Sequence, residues 1–167
     1  MATYIQIGST VTVGAGGAAN IEFTSIPSTY TDLVVKLSAR NSSTDGAVKI
    51  SFNGNSSTGT YRFLQGSGAA ASSNNGSAFG YVGNETMSTD TASTFSSFEI
   101  YIPNAFGTTQ KSISTDNVTE NNGTTAYATM LATLVNLTSA ITSLKLEPSA
   151  NLFAQYTTAS LYGILKS

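Results

Sequence analysis

The chain has 167 residues, the length of one ordinary domain, and a domain of this size can fold without disulfides or metals. It contains no cysteine and no histidine, which excludes disulfides, thiolate metal sites and catalysis by histidine. The net charge of −2 argues against electrostatic capture of nucleic acid. No apolar run approaches the ~20 residues of a membrane helix, and residues 1–20 show no signal-peptide pattern, so we expect no membrane partner and no export.

Only 10% of the residues are charged, so the surface must consist mainly of Ser, Thr, Asn, Gly and exposed apolar groups. Such a surface is easily desolvated, and the centres of protein interfaces are depleted in charge for the same reason. Two interpretations follow from composition alone. The chain is either a neutral secreted-type β domain or a protein that functions within an assembly.

The first half of the chain predicts short strands separated by turns. Residues 3–13 form an opening strand, or pair of strands, interrupted at Gly8-Ser9. We expect residues 1–20 to be an extended N-terminal arm or strand, and residues 21–167 to be a single β-sandwich domain. Alternating apolar residues predict further strands over 20–23, 33–39, 48–52, 61–64 and 79–83.

The segment 66–77 consists almost entirely of Gly, Ala, Ser and Asn. Such residues are depleted in strands and cannot bury apolar surface. The composition therefore predicts a long exposed loop that is poorly ordered unless a partner holds it.

The clearest strand lies near the middle of the chain, at residues 95–103. Phe98, Ile100 and Ile102 fall on one face and Tyr101 on the other, and this period of two is typical of a half-buried strand. Apolar strands precede and follow it, so we expect it near the centre of a sheet.

The last third continues the same pattern. Residues 111–120 predict a polar strand, and strands are also expected at 141–148, 153–156 and 159–165. Residues 124–137 fit helical spacing as well as strand, and their threonines favour strand. In all, about ten short strands with polar turns predict an all-β fold, an antiparallel, jelly-roll-like β-sandwich.

No residue pattern indicates an enzyme or a cofactor. The serines have no histidine or cysteine partner, and the carboxylates are dispersed, although two distant ones could still meet as a glycosidase pair. Asp116 and Glu120 offer oxygen ligands that suit calcium, but the calcium-loop pattern is missing, so a solvated strand end is the simpler interpretation.

Tyrosine rings could form an aromatic platform for a sugar, or anchor an interface. Tyr101 is the most informative, because it lies opposite the apolar face of its strand. The other candidates are Tyr30, Tyr61, Tyr81, Tyr127, Tyr156 and Tyr162.

Several segments together resemble a group of small β-rich proteins encoded in tailed-phage genomes, usually among virion genes. The resemblance covers most of the chain from residue 21 onward, except the 66–78 segment. It is carried by the segments Phe23–Val35, Phe95–Asn104, Ser114–Asn122, Ala140–Leu144 and Gln155–Ile164. It implies a jelly-roll-like sandwich that is a structural part of the virion, assembled in the host cytoplasm, and it brings no functional residues with it.

The resulting hypothesis is a head decoration (cement) protein. We expect a homotrimer that binds the major capsid protein on the capsid exterior, with residues 1–20 adding a strand to a partner. The interface candidates are Tyr4, Ile5, Ile7, Val11, Val13 and Tyr101. The alternatives are a tail or fibre tip module that binds a host surface glycan, and a non-viral β-sandwich binding module.

Overall fold

The computed structural model describes residues 3–55, 58–123 and 126–165. These residues form an all-β sandwich of twelve strands. In chain order the strands are β1 (Tyr4–Thr12), β2 (Ile21–Phe23), β3 (Asp32–Ala39), β4 (Ala47–Phe52), β5 (Thr58–Gly66), β6 (Ala71–Phe79), β7 (Tyr81–Asn84), β8 (Ser96–Ile102), β9 (Lys111–Val118), β10 (Ala128–Val135), β11 (Leu144–Pro148) and β12 (Thr158–Ile164).

The strands form two antiparallel sheets of unequal size. The large sheet has eight strands in the order β1-β12-β3-β8-β9-β10-β5-β6, and the small sheet has four in the order β2-β11-β4-β7. The predicted antiparallel sandwich is confirmed, with twelve strands rather than about ten. As expected, β8 lies inside a sheet, between β3 and β9.

One apolar core lies between the two sheets. The large sheet contributes alternate residues of its central strands, such as Val35 of β3 and Ile100 of β8, and the small sheet contributes residues such as Ile50 and Leu146. All four side chains are fully buried. The period-two alternation read from the sequence therefore separates an inner face, turned to the small sheet, from an outer face.

Residues 124–137, whose spacing fitted both a helix and a strand, form a strand in their described part. β10 pairs with β9 on one side and with β5 on the other, and its residues alternate strictly between exposed and buried. Thr129 and Thr133 are buried on its inner face. Residues 124 and 125 of the segment lie outside the described residues.

The predicted disordered loop at 66–77 is wrong. Residues 71–79 form β6, an edge strand that pairs with β5 along its whole length. The turn between them is closed by a hydrogen bond from the amide of Ser67 to the carbonyl of Ala70, at 2.9 Å. The backbone ladder orders this segment although its side chains contribute little, and a polar, weakly β-forming edge discourages unwanted strand pairing.

Two further details differ from the expectations. Residues 153–156 are not a strand, because Phe153 makes only isolated bridges, to Ala18 and Asn41, while its ring is fully buried. The predicted strand near 141 begins only at Leu144. Ile141 lies in the preceding loop, where it is nevertheless part of the core.

The N-terminal residues form the edge strand β1 of the large sheet, paired with β12. The ladder shifts register between Ile7 and Val11, where Gly8 has a positive φ, as the interruption at Gly8-Ser9 predicted. Val13, the residue directly after β1, belongs to the core. In the described part of the chain, no helix has the length and apolar character needed to cross a membrane.

Candidate functional site

The first candidate surface is an apolar strip on the outer face of the large sheet. Met130 and Leu64 lie directly opposite each other on β10 and β5, and their side chains are 70% and 63% exposed. Val118 and Leu134 extend the exposed apolar surface on β9 and β10. We call these four residues the outer strip. An apolar cluster of this kind is typical of a surface that is covered in an assembly.

Leu64 and Met130 of the strip line a groove of about 790 Å³ in the outer face, whereas Val118 and Leu134 lie outside its lining. Polar and charged residues border it on both sides. Asp116 pairs with Met130 from β9, and Arg62 pairs with Ala132 from β5. Since the acid and the base lie on opposite sides of β10, the surface is apolar in the middle and carries opposite charges at its margins.

A row of charges continues across the same face. Glu99 lies opposite Asp116 in the β8–β9 ladder and opposite Lys36 in the β3–β8 ladder. Lys36 and Glu99 form an exposed ion pair. Exposed pairs of this kind contribute little to stability. The row of charges forms the polar border of the outer strip.

The predicted interface residues lie in different environments. Tyr4 and Ile5 are exposed on β1, whereas Ile7 and Val11 are partly buried against the core and Val13 is 4% exposed. Tyr4 and Ile5 are therefore the members of β1 that present the most surface to a partner.

Tyr101 faces outward, as its position in the alternation predicted. It is partly buried, and its hydroxyl donates a hydrogen bond to Asp32 Oδ2 at 2.8 Å. That hydrogen bond raises the pKa of the Tyr101 phenol above its usual value. The ring is thus tied to the edge of the β3–β8 ladder.

The candidate calcium ligands do not converge. Asp116 is on β9 and Glu120 is four residues further along, roughly 13 Å away in an extended chain. The Glu120 carboxylate instead accepts a hydrogen bond from the amide of Asn122. Among the described residues, no cluster of three or more acidic side chains is arranged to hold a metal ion.

The second candidate surface is a cleft between β5 of the large sheet and β7 of the small sheet. We call it the hairpin cleft. It has a volume of about 360 Å³. β5 contributes Phe63 and Gln65 to its lining, and β7 contributes Tyr81 and Asn84.

Aromatic rings form much of this cleft. Tyr61 lies 4.8 Å from Tyr81 between ring centroids, at an interplanar angle of 55°, and stacks along β5 on Phe63 at 6.3 Å. Tyr127 adds a further ring to the lining. Gly76 of β6 permits this packing, because a Cβ there would lie 2.6 Å from the Tyr61 hydroxyl oxygen.

A buried carboxyl group lies in the same cleft. Glu85 is 2% exposed, and its Oε1 accepts a hydrogen bond from Asn41 Nδ2 at 3.0 Å. Its Oε2 has no hydrogen-bond partner among the described residues. Burial raises the pKa of Glu85 to about 8, and the nearby charge of Asp45 acts in the same direction.

The structure brings together only some of the tyrosines singled out in the sequence. Tyr81 and Tyr127 line the cleft, and Tyr61 packs against Tyr81. Tyr30 packs over Gly163, and Tyr156 is 66% exposed on a loop elsewhere. The sequence reasoning missed Phe63, Gln65, Asn84 and Glu85, because no local pattern connects β5 with β7. The remaining candidate, Tyr162, lies on β12.

The comparisons with known proteins leave the family open. The chain matches no family model, no curated protein and no solved structure.

Proposed function

We propose that the chain is a structural protein of a tailed-phage particle, a head decoration protein that assembles as a homotrimer on the capsid exterior. The observation that carries the proposal is the outer strip, an exposed apolar surface on a chain with only 10% charged residues. The sequence resemblance to small virion proteins points to the same setting.

The occupant proposed for the outer strip is another copy of the same chain. The strip carries Asp116 on one side and Arg62 on the other, so it offers charges of both signs to a neighbouring copy. Full burial of an exposed Leu or Met side chain contributes about 1.5–3 kcal/mol, so covering Leu64 and Met130 is a substantial driving force. The net charge of −2 leaves little repulsion between copies.

Contact with the major capsid protein is assigned to the free edge of β1. This strand is at one end of the large sheet, and Tyr4 and Ile5 are its exposed apolar residues. An edge strand can accept a strand from a partner through main-chain hydrogen bonds. The register shift after Ile7 limits this pairing to the first residues of β1.

The assembly proposal is tested by changing Met130 to lysine and measuring mass by sedimentation equilibrium. We expect the wild-type chain to sediment as a trimer. The dissociation constant of the variant trimer should be at least ~30-fold higher, because the substitution places a charge in the covered surface. Met130 is 70% exposed in the isolated chain, so the fold should tolerate the change.

Leu152→Lys is the matched control. Leu152 is also an exposed apolar residue, but it lies in the loop after β11, outside the outer strip. The control should associate like the wild type. A monomeric wild-type chain, or equal weakening by both substitutions, would contradict the assignment of the outer strip.

The hairpin cleft favours a second candidate function, that of a tail or fibre tip module that binds a host surface glycan. The two functions use opposite faces of the large sheet. Changing Phe63 to alanine should reduce adsorption of particles to the host if the chain is a tip module. The same change should leave adsorption unaffected if the chain only decorates the head.

A further inference from the structure

We propose that the hairpin cleft binds a neutral saccharide, a hexose or N-acetylhexosamine unit of a glycan, between the rings of Phe63 and Tyr81 and the amide of Gln65. The inference deepens the second candidate function, on which it rests for its biological setting. The binding itself is a property of the isolated chain. It does not depend on assembly, because the cleft and the outer strip lie on opposite faces.

The aromatic rings provide the apolar part of the site. Phe63, Tyr81 and Tyr127 line the cleft and are each partly exposed to it. A sugar ring has a face of C–H groups, and the electron-rich face of an aromatic ring attracts their positive edge. Because Tyr61 packs against both Phe63 and Tyr81, two of these rings are held in place before a ligand arrives.

Hydrogen bonds hold the polar part of the site in position. The Tyr81 hydroxyl donates to Asn84 Oδ1 at 2.9 Å, and Asn84 Nδ2 donates to Gln65 Oε1 at 3.3 Å. The amide of Asn84 in turn donates to Oδ1 of the buried Asn117, at 3.1 Å. Gln65 Nε2 makes no hydrogen bond within the described part of the chain, which leaves its two hydrogens for a ligand.

The loop that forms the opposite wall is also fixed. Arg40 donates hydrogen bonds to four backbone carbonyls between residues 88 and 94. Asp90 Oδ2 accepts a hydrogen bond from the amide of Met87 at 2.7 Å. A site whose walls are already ordered loses less conformational freedom on binding.

The charges of the cleft select the class of ligand. Asp45, Glu85 and Asp90 line it, and none of the described lining residues is basic. Phosphorylated, sulfated and sialylated ligands would therefore meet acidic groups and no basic group in the described lining. A polyol suits the site, because each hydroxyl can donate to a carboxylate or carbonyl oxygen.

The buried carboxyl group of Glu85 affects the charge of the cleft wall. Glu85 Oε2 is buried and has no partner among the described residues, although buried polar atoms nearly always have one. Since burial raises its pKa to about 8, this carboxyl is mostly protonated at neutral pH. A protonated Glu85 adds no negative charge to the wall of the cleft.

The size of the cleft agrees with a small sugar ligand. Its volume of about 360 Å³ lies near the lower end of the ~300–1,000 Å³ that is usual for ligand pockets. We therefore expect the cleft to hold one or two sugar units, and the rest of a glycan to extend into solvent.

The test is a titration of the isotope-labelled full chain, followed by amide NMR, with methyl glycosides of glucose, galactose, mannose and N-acetylglucosamine, and with sialyllactose. At least one neutral glycoside should shift the amide signals of residues 63–65 and 81–85, with saturation. Sialyllactose should cause smaller shifts at the same residues. The inference is overturned if no neutral glycoside shifts these signals, or if the shifts lie elsewhere.

Gln65→Glu tests the site with little change in shape. It removes the two free donor hydrogens and adds a negative charge, so affinity for the neutral glycoside should fall about tenfold. Gln155→Glu, the same change at an exposed position outside the cleft, should bind like the wild type. Equal affinity of both variants would overturn the role of Gln65.

Phe63→Ala removes one aromatic wall and should lower the affinity by at least about tenfold. Unchanged affinity of this variant, shown to be folded by its amide spectrum, would refute the aromatic site. A monomeric chain that still binds the sugar would refute the assembly proposal alone, so the two failures can be told apart.

Discussion

Replacing Glu85 with glutamine should make the protein more stable at alkaline pH and remove a large part of its pH dependence. The side chain is 2% exposed, and its pKa is raised from 4.5 to about 8 by burial. The hydrogen bond from Asn41 opposes this rise but does not cancel it. Glutamine keeps an oxygen that can accept from Asn41 and cannot ionise.

The sign of the effect follows from proton binding. Below the ordinary pKa of 4.5, both the folded and the unfolded chain carry the proton, and the full stability is present. As the pH rises towards about 8, the unfolded chain loses the proton while the folded chain keeps it, so the free energy of unfolding falls. Above the folded pKa both states are ionised and the loss is complete.

The size of the effect follows from the same shift. One pKa unit corresponds to about 1.4 kcal/mol, so a rise from 4.5 to about 8 corresponds to at most about 5 kcal/mol. This figure is a large fraction of the ~5–15 kcal/mol that stabilises a typical domain. Wild type and Glu85→Gln should have similar stability at acidic pH and diverge by several kcal/mol above pH 8.

The assay is urea unfolding at a series of pH values from acidic to alkaline, with Glu22→Gln as the control. Glu22 is exposed on β2, so its replacement should leave the wild-type pH profile unchanged. The reasoning is refuted if the Glu85→Gln curve runs parallel to the wild-type curve over the whole range. It is also refuted if wild-type stability rises between pH 4.5 and 8.

Three positions with positive φ give further predictions. Gly80→Ala should cost about 3 kcal/mol or more, since φ is +52° and a Cβ would lie 1.9 Å from the Ile50 carbonyl oxygen. Gly54→Ala, at φ +68° with no atom within 4 Å, should cost only ~1–2 kcal/mol, and equal thermal shifts for the two variants would contradict the clash. Asn53→Ala should cost roughly 2–4 kcal/mol, because Oδ1 accepts from the amide and hydroxyl of Thr142 and the residue has a φ of 55°. Asn53→Gly tolerates the positive φ but makes none of these contacts, so it should still lose stability in urea unfolding; a glycine variant as stable as the wild type would show that the contacts are not the cause.

The sequence predicts the centre of the fold well, because the central strands have one buried and one exposed face. β8 and β9 alternate strictly, and the pattern of Phe98, Ile100 and Ile102 identified the inner face of β8 directly. The threonines of residues 124–137 favoured a strand over a helix, because β-branched residues suit the pleated surface of a sheet. The structure has the strand β10 there.

The edge strand β6 could not be predicted from its own residues. Its Ala, Ser, Asn and Gly side chains have low strand propensity and bury little, so the strand exists through its ladder with β5. The pairing of β6 with β5 depends on the whole hairpin. A polar edge strand such as β6 therefore shows no alternation of apolar residues in its own sequence.

The hairpin cleft was missed because its residues become neighbours only after folding. Phe63 and Gln65 come from the large sheet, while Tyr81 and Asn84 come from the small one. Nor does the local sequence reveal that Glu85 is buried, since it lies between Asn84 and Thr86 in a polar stretch. Tyrosines could be named as candidates from the sequence, but only the packing of two sheets decides which of them meet.

The proposed role predicts that the chain is part of purified phage particles, and its copy number there is the most direct test. Quantitative mass spectrometry would compare it with the major capsid protein. A decoration protein predicts a ratio near one, or a simple fraction of it, because it repeats with the capsid lattice. A few copies per particle, or none, would contradict a role as a head decoration protein.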